Sequence, residues 1–593
     1  MSTATITPIK PKGGFFLIEK SQPSEIFTPE DFTEEHRDIA RTTDDFWNKE
    51  VAPNLDAIQV QQPGLAVSIL RKSAELGLTA VDMPEKYGGM GMDLASMMIV
   101  AEHLGKDGSY ATWHAAHCGI GSLPVLLFGT EEQKQYYIPK LASAEMVAAY
   151  CLTEPQAGSD AMAVKTRADL SPDGQYYILN GQKMWITNGA AADLYTIFAK
   201  IGGDKLTAFL VERAWPGVQP GAEEHKMGIK GSSTTAIYLD NVKVPVKNVL
   251  GEIGRGHIIA FNILNLGRLK LGPICAGAAK EVLRVSLKYA KERHTFGKPI
   301  ASYGLIQHKL AEMAIRTYAA ETMSYRVVGM INDQLHDFSW DQPDANKTML
   351  KSVEEFATEC SFVKLFASEA LDYIADEGVQ IHGGYGYHQD YAVERAYRDS
   401  RINRIFEGTS EINRLLATSM LLKRAMRGQL PLVAAVTKLQ AEILGGPSLS
   451  SGASSASGGN PMVENAKKIA LFVLGVAYQK YLQALEDQQE ILGNLTDVCM
   501  NVFAMDSVAL RTAKVTANRK GEAAADMCAV FLQEAMETIE SCARTVLAAC
   551  SEGDALRTNL AVLKRFTKFE PVNVIALRRN IAARLLQAEH YVV

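Results

Sequence analysis

The chain has 593 residues, which at about 150 residues per domain suggests roughly four domains or subdomains. Hydrophobic residues make up 47% and charged residues 22%, a balance that excludes disordered, collagen-like and disulfide-scaffold classes and supplies apolar side chains for a large core. With 61 Lys and Arg against 67 Asp and Glu the formal charge is −6, so no nucleic-acid partner is expected from bulk charge.

The N-terminal stretch to residue 30 has a few basic residues but no apolar segment followed by a small-residue cleavage site, so it is expected to be a tail and not a secretion signal. From 31 to 147, apolar residues recur at helical spacing, as in Val67, Leu70, Ala74 and Leu78 or Met97, Val100, Ala101 and Leu104, which predicts a helical domain. The period then changes. Between 148 and 254, YYILNGQKMWIT places Asn180-Gly181 between two β-prone runs, predicting a hairpin, and LYTIFAKI, LTAFLVER and TTAIYLDNVKVP read as further strands of a mostly antiparallel sheet. Long helical patterns return over 255–440 and predict a four-helix bundle. A Gly/Ser-rich stretch at 441–462 reads as a linker, and 463–593 as an additional helical domain. The fold class expected is therefore α+β: helical domain, antiparallel β domain, bundle, helical extension. No βαβ unit is predicted, so GGMGMD and GGYGYH are not Rossmann fingerprints.

Eight cysteines are scattered without a CxxC pair or a Cys/His cluster, which predicts neither a metal site nor a disulfide framework and makes the reducing cytoplasm the expected compartment. The longest apolar run, Ile469 to Tyr478, falls short of the roughly 20 residues that span a bilayer. A basic tract, with Arg557, Lys564, Arg565, Lys568, Arg578, Arg579 and Arg584, reads as a solvated face or subunit contact, or as a peripheral membrane contact.

Three segments carry candidate chemistry. In RIFEGTSEINR, Glu407 lies between Phe406 and Gly408, ahead of a helix whose apolar face includes Ile412, Leu415, Leu416 and Met420. An apolar neighbour and a close-approaching backbone favour a desolvated general base; the same pattern also fits a helix N-terminal acid with Thr409 or Ser410 as cap. In AYCLTEPQAGSD, the Gly- and hydroxyl-rich turn can hold a phosphate or polar heterocycle, or form an ordinary surface loop. In KMWITNG, Trp185 and Thr187 are two apart and expected on one strand face, as an aromatic wall with a hydroxyl donor or as a core pair.

AYCLTEPQAGSD, KMWITNG, RHTFGKPI, QIHGGYGY and RIFEGTSEINR, in that order and spacing, resemble the acyl-CoA dehydrogenase family over about residues 30–425, and the extension resembles that of its very-long-chain branch. The resemblance implies FAD, with Tyr150, Leu152, Thr153, Gly158 and Ser159 on one side and Trp185, Ile186 and Thr187 against the flavin. It implies that Arg293, Phe296, Gln307, Gln380, Gly383 and Gly384 reach a neighbouring subunit's FAD in a homodimer, while Thr409 and Glu411 contact the cofactor from a helix start. Glu407 matches the catalytic base; the alternative family position for that base is here Gly267, which cannot take a proton. Ser159, Asn265, Arg268, Phe406 and Gly408 would face the acyl-CoA. The implied function is α,β-dehydrogenation of long-chain acyl-CoA to trans-2-enoyl-CoA in fatty-acid β-oxidation, with an electron-transfer flavoprotein as acceptor and no metal. An acyl-CoA oxidase and a flavin-binding assembly protein are the alternatives.

Overall fold

The structure, a computed structural model, describes residues 11–445, 459–516 and 521–593. The centre of the predicted linker and the first ten residues lie outside the described residues. The first helical domain begins at helix Glu34–Phe46 and includes helices Leu94–Leu104, Gly108–Ala116 and Glu131–Ala142. Polar caps set each start: Thr33 accepts from the His36 N–H, Asp93 from Ser96, Asp107 from Tyr110, and Thr130 and Gln133 form a capping box.

The β domain contains β1 (Ala148–Cys151), β2 (Arg167–Leu170), β3 (Tyr176–Thr187), β4 (Leu194–Ile201), β5 (Lys205–Glu212), β6 (Val218–Glu223), β7 (Thr234–Pro245) and β8 (Val249–Leu250). The sheet order is β6-β7-β3-β2-β4-β5-β8, with β1 also paired to β4. Most pairs are antiparallel, but β4 runs parallel to both β1 and β2, so the sheet is mixed. The expected hairpin at Asn180-Gly181 is not formed. Those residues lie inside the continuous strand β3, at a register shift against β7. A Cβ at Gly181 would lie 2.5 Å from Thr166 Oγ1 and 2.8 Å from Thr166 Cα, so the glycine serves close backbone approach instead of a turn. The Asn180 Oδ1 accepts from the Asn241 N–H at 2.9 Å.

The bundle consists of helices Gly256–Glu292, Gly304–Gln334, Ala357–His382 and Ser410–Met426. The first is long and apolar enough to cross a membrane by length and composition, yet 67% of its most apolar window is buried inside the molecule, the signature of a core helix. The extension, from helix Pro461–Tyr481 to helix Val574–Ala588, shares one apolar core with the bundle and the first domain. Phe366 meets Phe531 edge-on at 5.9 Å, and Arg414 joins Glu369 at 2.7 Å to Asp497 at 2.8 Å. Of the basic tract, Arg578 is buried against Glu312 and Glu534, and Arg584 pairs with Asp526 and Glu522.

The expected N-terminal tail is corrected. Residues 11–31 form a strap of short turns between bundle and extension: Phe16 packs on Phe503 at 5.1 Å and Phe362 at 6.0 Å, the Gly14 N–H donates to Glu359 Oε1 at 2.7 Å, and Lys467 Nζ donates to the Glu19 carbonyl at 3.0 Å. Isolated one-turn elements carry no periodicity, which is why the sequence pattern did not reveal them. Beneath the strap, buried Arg511 bridges Glu30 at 2.9 Å and Glu321 at 2.6 Å. Phe16→Ala is expected to cost about 3–5 kcal/mol and to free the strap; chemical denaturation and limited proteolysis near residue 20 check it, and undiminished protection would contradict the strap's role.

Candidate active site

Between the β domain and the bundle lies a cleft of about 1620 Å³. Its floor is the turn joining Phe406 to helix Ser410–Met426. Glu407 and Gly408 both adopt left-handed backbone, at φ 57° and 82°, a conformation costly for glutamate that surrounding structure must hold. Three side chains hold it by the carbonyls: Arg268 Nε donates to the Glu407 carbonyl at 3.1 Å, while Lys364 Nζ and Asn413 Nδ2 each donate to the Gly408 carbonyl at 2.8 Å. Arg268 is itself oriented by Asn265 Oδ1 at 2.9 Å. Thr409 caps the following helix, accepting from the Ile412 N–H. The helix-acid reading and the general-base reading are therefore divided between neighbours: Thr409 caps, and the Glu407 carboxyl is left over.

That carboxyl has no salt-bridge partner among the described residues, and its Oε2 is buried without a hydrogen bond. Burial raises its pKa to about 7, outweighing the opposing pull of Arg268, Lys364 and Lys270. Arg268 and Lys364 bind the turn's carbonyls and not the carboxylate, so they orient the group without quenching its basicity. Burial also pushes Lys364 down to about 8. The space for the carboxyl is made by Gly267: a Cβ there would lie 2.8 Å from Cδ, Oε1 and Oε2 of Glu407. The two family positions for a base thus occupy one volume, and only one can be filled.

The cleft's β-domain wall brings together Tyr150, Leu152, Thr153, Gly158 and Ser159. Their loop is anchored by Glu154, whose carboxylate accepts from the N–H groups of Lys165 and Thr166 and pairs with buried Lys183 at 2.7 Å. Trp185, Ile186 and Thr187 complete that wall. Trp185 and Thr187 do not reach it by simple alternation: β3 has a register shift between Lys183 and Ile186, with Trp185 at φ 61°, so a bulge turns the indole out, 55% exposed. Opposite stand Asn265, Arg268, Phe406, Glu407, Gly408 and Thr409. The apolar stripe Ile412, Leu415, Leu416 and Met420 also lines the cleft, while the core side of that helix is Asn413, Ala417, Thr418 and Leu421.

Other expected residues lie elsewhere. Glu411 is exposed on the first helical turn, outside the cleft lining. Arg293, Phe296, Gln380, Gly383 and Gly384 belong to a different end of the bundle, where Arg293 lies 5.6 Å from the Tyr385 ring centre and Phe296 is 91% exposed at φ 53°. Gln307 donates to the Ala301 carbonyl at 3.0 Å. Within one chain this group does not line the cleft. Lys183, Lys364 and Asn413 were missed by sequence reasoning; lone lysines inside apolar runs, as in CSFVKLFASEA, were the available signal.

The family models described as acyl-CoA dehydrogenase N-terminal, middle and C-terminal domains match residues 33–145, 149–242 and 254–422, and a further C-terminal-domain model matches 465–565. The chain belongs to the acyl-CoA dehydrogenase family. It is 49% identical over 585 residues to a probable acyl-CoA dehydrogenase of Bacillus subtilis, covering 98% of both chains. It is 42% identical to the human very long-chain specific enzyme over 351 residues, 58% of this chain and 51% of that protein. The crystal structure of an acyl-CoA dehydrogenase complexed with FAD from Bacillus anthracis is 48% identical and superposes with a TM-score of 0.96, covering 98% of this chain and 100% of that one.

Membership in this family makes the chain an oxidoreductase whose cofactor is FAD, and the cleft fits that group. A Cβ at Gly158 would meet nothing within 4 Å, so this glycine lines open space, and a projecting indole, the Thr187 hydroxyl and the capped start of helix Ser410–Met426 face the same volume. Gly267→Ala is expected to displace the Glu407 carboxyl and cut acyl-CoA turnover about 100-fold while the flavin spectrum is retained. Near-normal turnover in rapid-mixing assays would show that the close approach is not needed.

Proposed function

We propose that the protein catalyses α,β-dehydrogenation of acyl-CoA thioesters, with Glu407 removing the α-proton. The observation that carries this reading is the unpartnered Glu407 carboxyl, held on a pinned left-handed turn against the missing side chain of Gly267. A carboxyl raised to about 7 is matched to proton abstraction near neutral pH in a way an exposed glutamate is not. The bonds from Arg268, Lys364 and Asn413 occupy the turn's carbonyls and leave the Glu407 N–H out of that network, available to a thioester oxygen as negative charge develops on it. Bound FAD supplies the acceptor for hydride from the substrate's β-carbon. Trp185 and the Glu154-anchored loop close the other wall and exclude water from the base.

The product is the trans-2-enoyl-CoA, with an electron-transfer flavoprotein as the proposed electron acceptor, a role supported by family membership. The proposed assembly is a homodimer: the exposed Arg293, Phe296 and Gly383-Gly384 group has no place in its own cleft and has the form of a contact to a second copy. The long-chain preference rests on the resemblance of the extension alone.

Glu407→Gln is expected to keep FAD and lose most of the flavin bleaching seen on anaerobic mixing with acyl-CoA; retention of the normal rate would remove Glu407 as base. The base must be unprotonated, and its pKa is raised to about 7, so the bleaching rate is expected to climb as pH rises through 7 and level off above it. A profile already flat from pH 5 upward would contradict the desolvated carboxyl.

A further inference from the structure

Helix Ala392–Ser400 ends on a buried carboxyl that touches two other parts of the fold. Asp399 Oδ1 accepts from the Ile229 N–H of the β domain at 2.5 Å. Its Cβ and Oδ2 press on the first helical domain, where a Cβ at Gly108 would lie 2.8 and 3.1 Å from them. The segment that Asp399 holds, residues 226–229, lines the cleft that fits FAD, together with Arg398. Its backbone is not relaxed. Ile229 is left-handed at φ 44°, costly for a β-branched residue, and a Cβ at Gly228 would lie 2.3 Å from the Arg398 carbonyl oxygen. Three side chains keep it in place: Asp399 at Ile229, Arg398 Nη1 donating to the Met227 carbonyl at 3.1 Å, and Lys226 Nζ donating to the Ser232 carbonyl at 2.8 Å.

Asp399 shares its surroundings with buried Asp107, the N-cap of helix Gly108–Ala116. The two carboxyls are not equivalent. Asp107 accepts from the Tyr110 N–H at 3.0 Å and lies 3.4 Å from Arg395 Nε, whereas Asp399 Oδ2 is buried with no hydrogen bond. The nearby cations are engaged elsewhere. Arg398 is paired with Glu394 at 2.7 Å, and Arg395 is divided between Asp107 and Asp56. Lys226, on the segment itself, is pushed down by burial and feels Glu223 and Glu224 more than Asp399. Both aspartates line a second cavity, of about 800 Å³, whose other ions are matched: Lys280 with Glu102 and Glu321, His103 and Lys106 with Asp44, and Arg284 with Glu281. His590, also on that cavity, bonds to the Ala588 carbonyl at 2.7 Å. Burial, and then the Asp107 charge, raises the Asp399 carboxyl to about 7. Asp399 is therefore the member of the pair that carries a proton as pH approaches neutrality.

We propose that Asp399 is a positioning residue for the flavin site: as a neutral acid it clamps the 226–229 segment into the cleft wall, and its ionisation loosens that segment and with it the hold on FAD. An ionised Asp399 would be a second buried carboxylate beside Asp107, and releasing the segment is the route by which it regains water. In the released segment the carboxyl returns to the usual aspartate value of about 3.9, while the seated one keeps its proton up to about 7. Between those limits each unit of pH weakens the seating about tenfold, and above 7 the effect levels off. The inference concerns how FAD is held and stands whether or not Glu407 is the base.

The test follows FAD release, as the gain of free-flavin fluorescence after dilution, from pH 5 to 8. It uses the FAD-loaded wild-type protein and its Asp399→Asn and Asp107→Asn variants, each repeated with Glu407→Gln so that titration of the base is subtracted. Asparagine at 399 keeps a carbonyl acceptor for the Ile229 N–H and copies the neutral acid at every pH. Expected for wild type is a release rate that climbs about tenfold or more between pH 5 and 7 and then levels off. Asp399→Asn should release FAD slowly at every pH, and Asp107→Asn should level off at lower pH because the neighbouring charge is gone. A wild-type profile without the rise overturns the proposal, as does an Asp399→Asn profile as steep as that of wild type. Loss of FAD from Asp399→Asn across the whole range overturns it too, since the amide supplies what the neutral acid supplies. An Asp107→Asn profile that keeps the wild-type plateau removes the carboxyl pair as the cause and has the same consequence.

Discussion

The active site depends on a backbone conformation that a glutamate does not adopt unaided. The turn at Glu407 and Gly408 is left-handed at both residues, and it persists because Arg268, Lys364 and Asn413 each donate to its carbonyls. All three come from bundle helices whose other faces are deep in the common core, so the rigidity of the bundle is transmitted to one short turn. The cations serve two ends at once. They neutralise carbonyl dipoles at contact distance, and they lie too far from the carboxylate oxygens to pair with them. Desolvation therefore wins over attraction at Glu407, and the carboxyl keeps the basicity that a salt bridge would have removed.

The same logic of placing charge without pairing it separates the functional from the structural ions. Lys183 and Glu154, Arg511 with Glu30 and Glu321, and Arg578 with Glu312 are buried pairs whose partners satisfy one another. They fix where the flavin-side loop, the strap and the extension sit. The Glu407 carboxyl is buried and unpaired, and such a group persists when something outside the folded chain supplies the partner. The strap extends this scaffold: by filling the seam between bundle and extension with Phe16 and Leu17, it makes the extension continuous with the helices that hold the base.

Much of this was legible beforehand. The change from helical to alternating periodicity near residue 148, its reversal near 255 and the five ordered motifs identify the domain plan and the family, because periodicity and motif order are local properties of the chain. Glu407 could be marked as a candidate from its apolar neighbour and adjacent glycine. The hairpin at Asn180-Gly181 misled for an instructive reason: a dipeptide suited to a tight turn is equally suited to letting a neighbouring strand approach, and only the position of Thr166 decides between them. The strap was invisible because one-turn elements have no period to detect. Trp185 faces the cleft through a bulge, which strand alternation does not encode.

The sequence by itself determined which residue types are available for chemistry and in what order the helical and extended segments come, since both follow from side-chain identity and short-range periodicity. Only the tertiary structure decided which carboxyl goes unpaired and which lysines hold carbonyls, and that Gly267 and Glu407 share a single volume. Those outcomes depend on distances between segments up to about 140 residues apart along the chain, as for Arg268 and Glu407, and on the loss of water around them, neither of which is written in any local window.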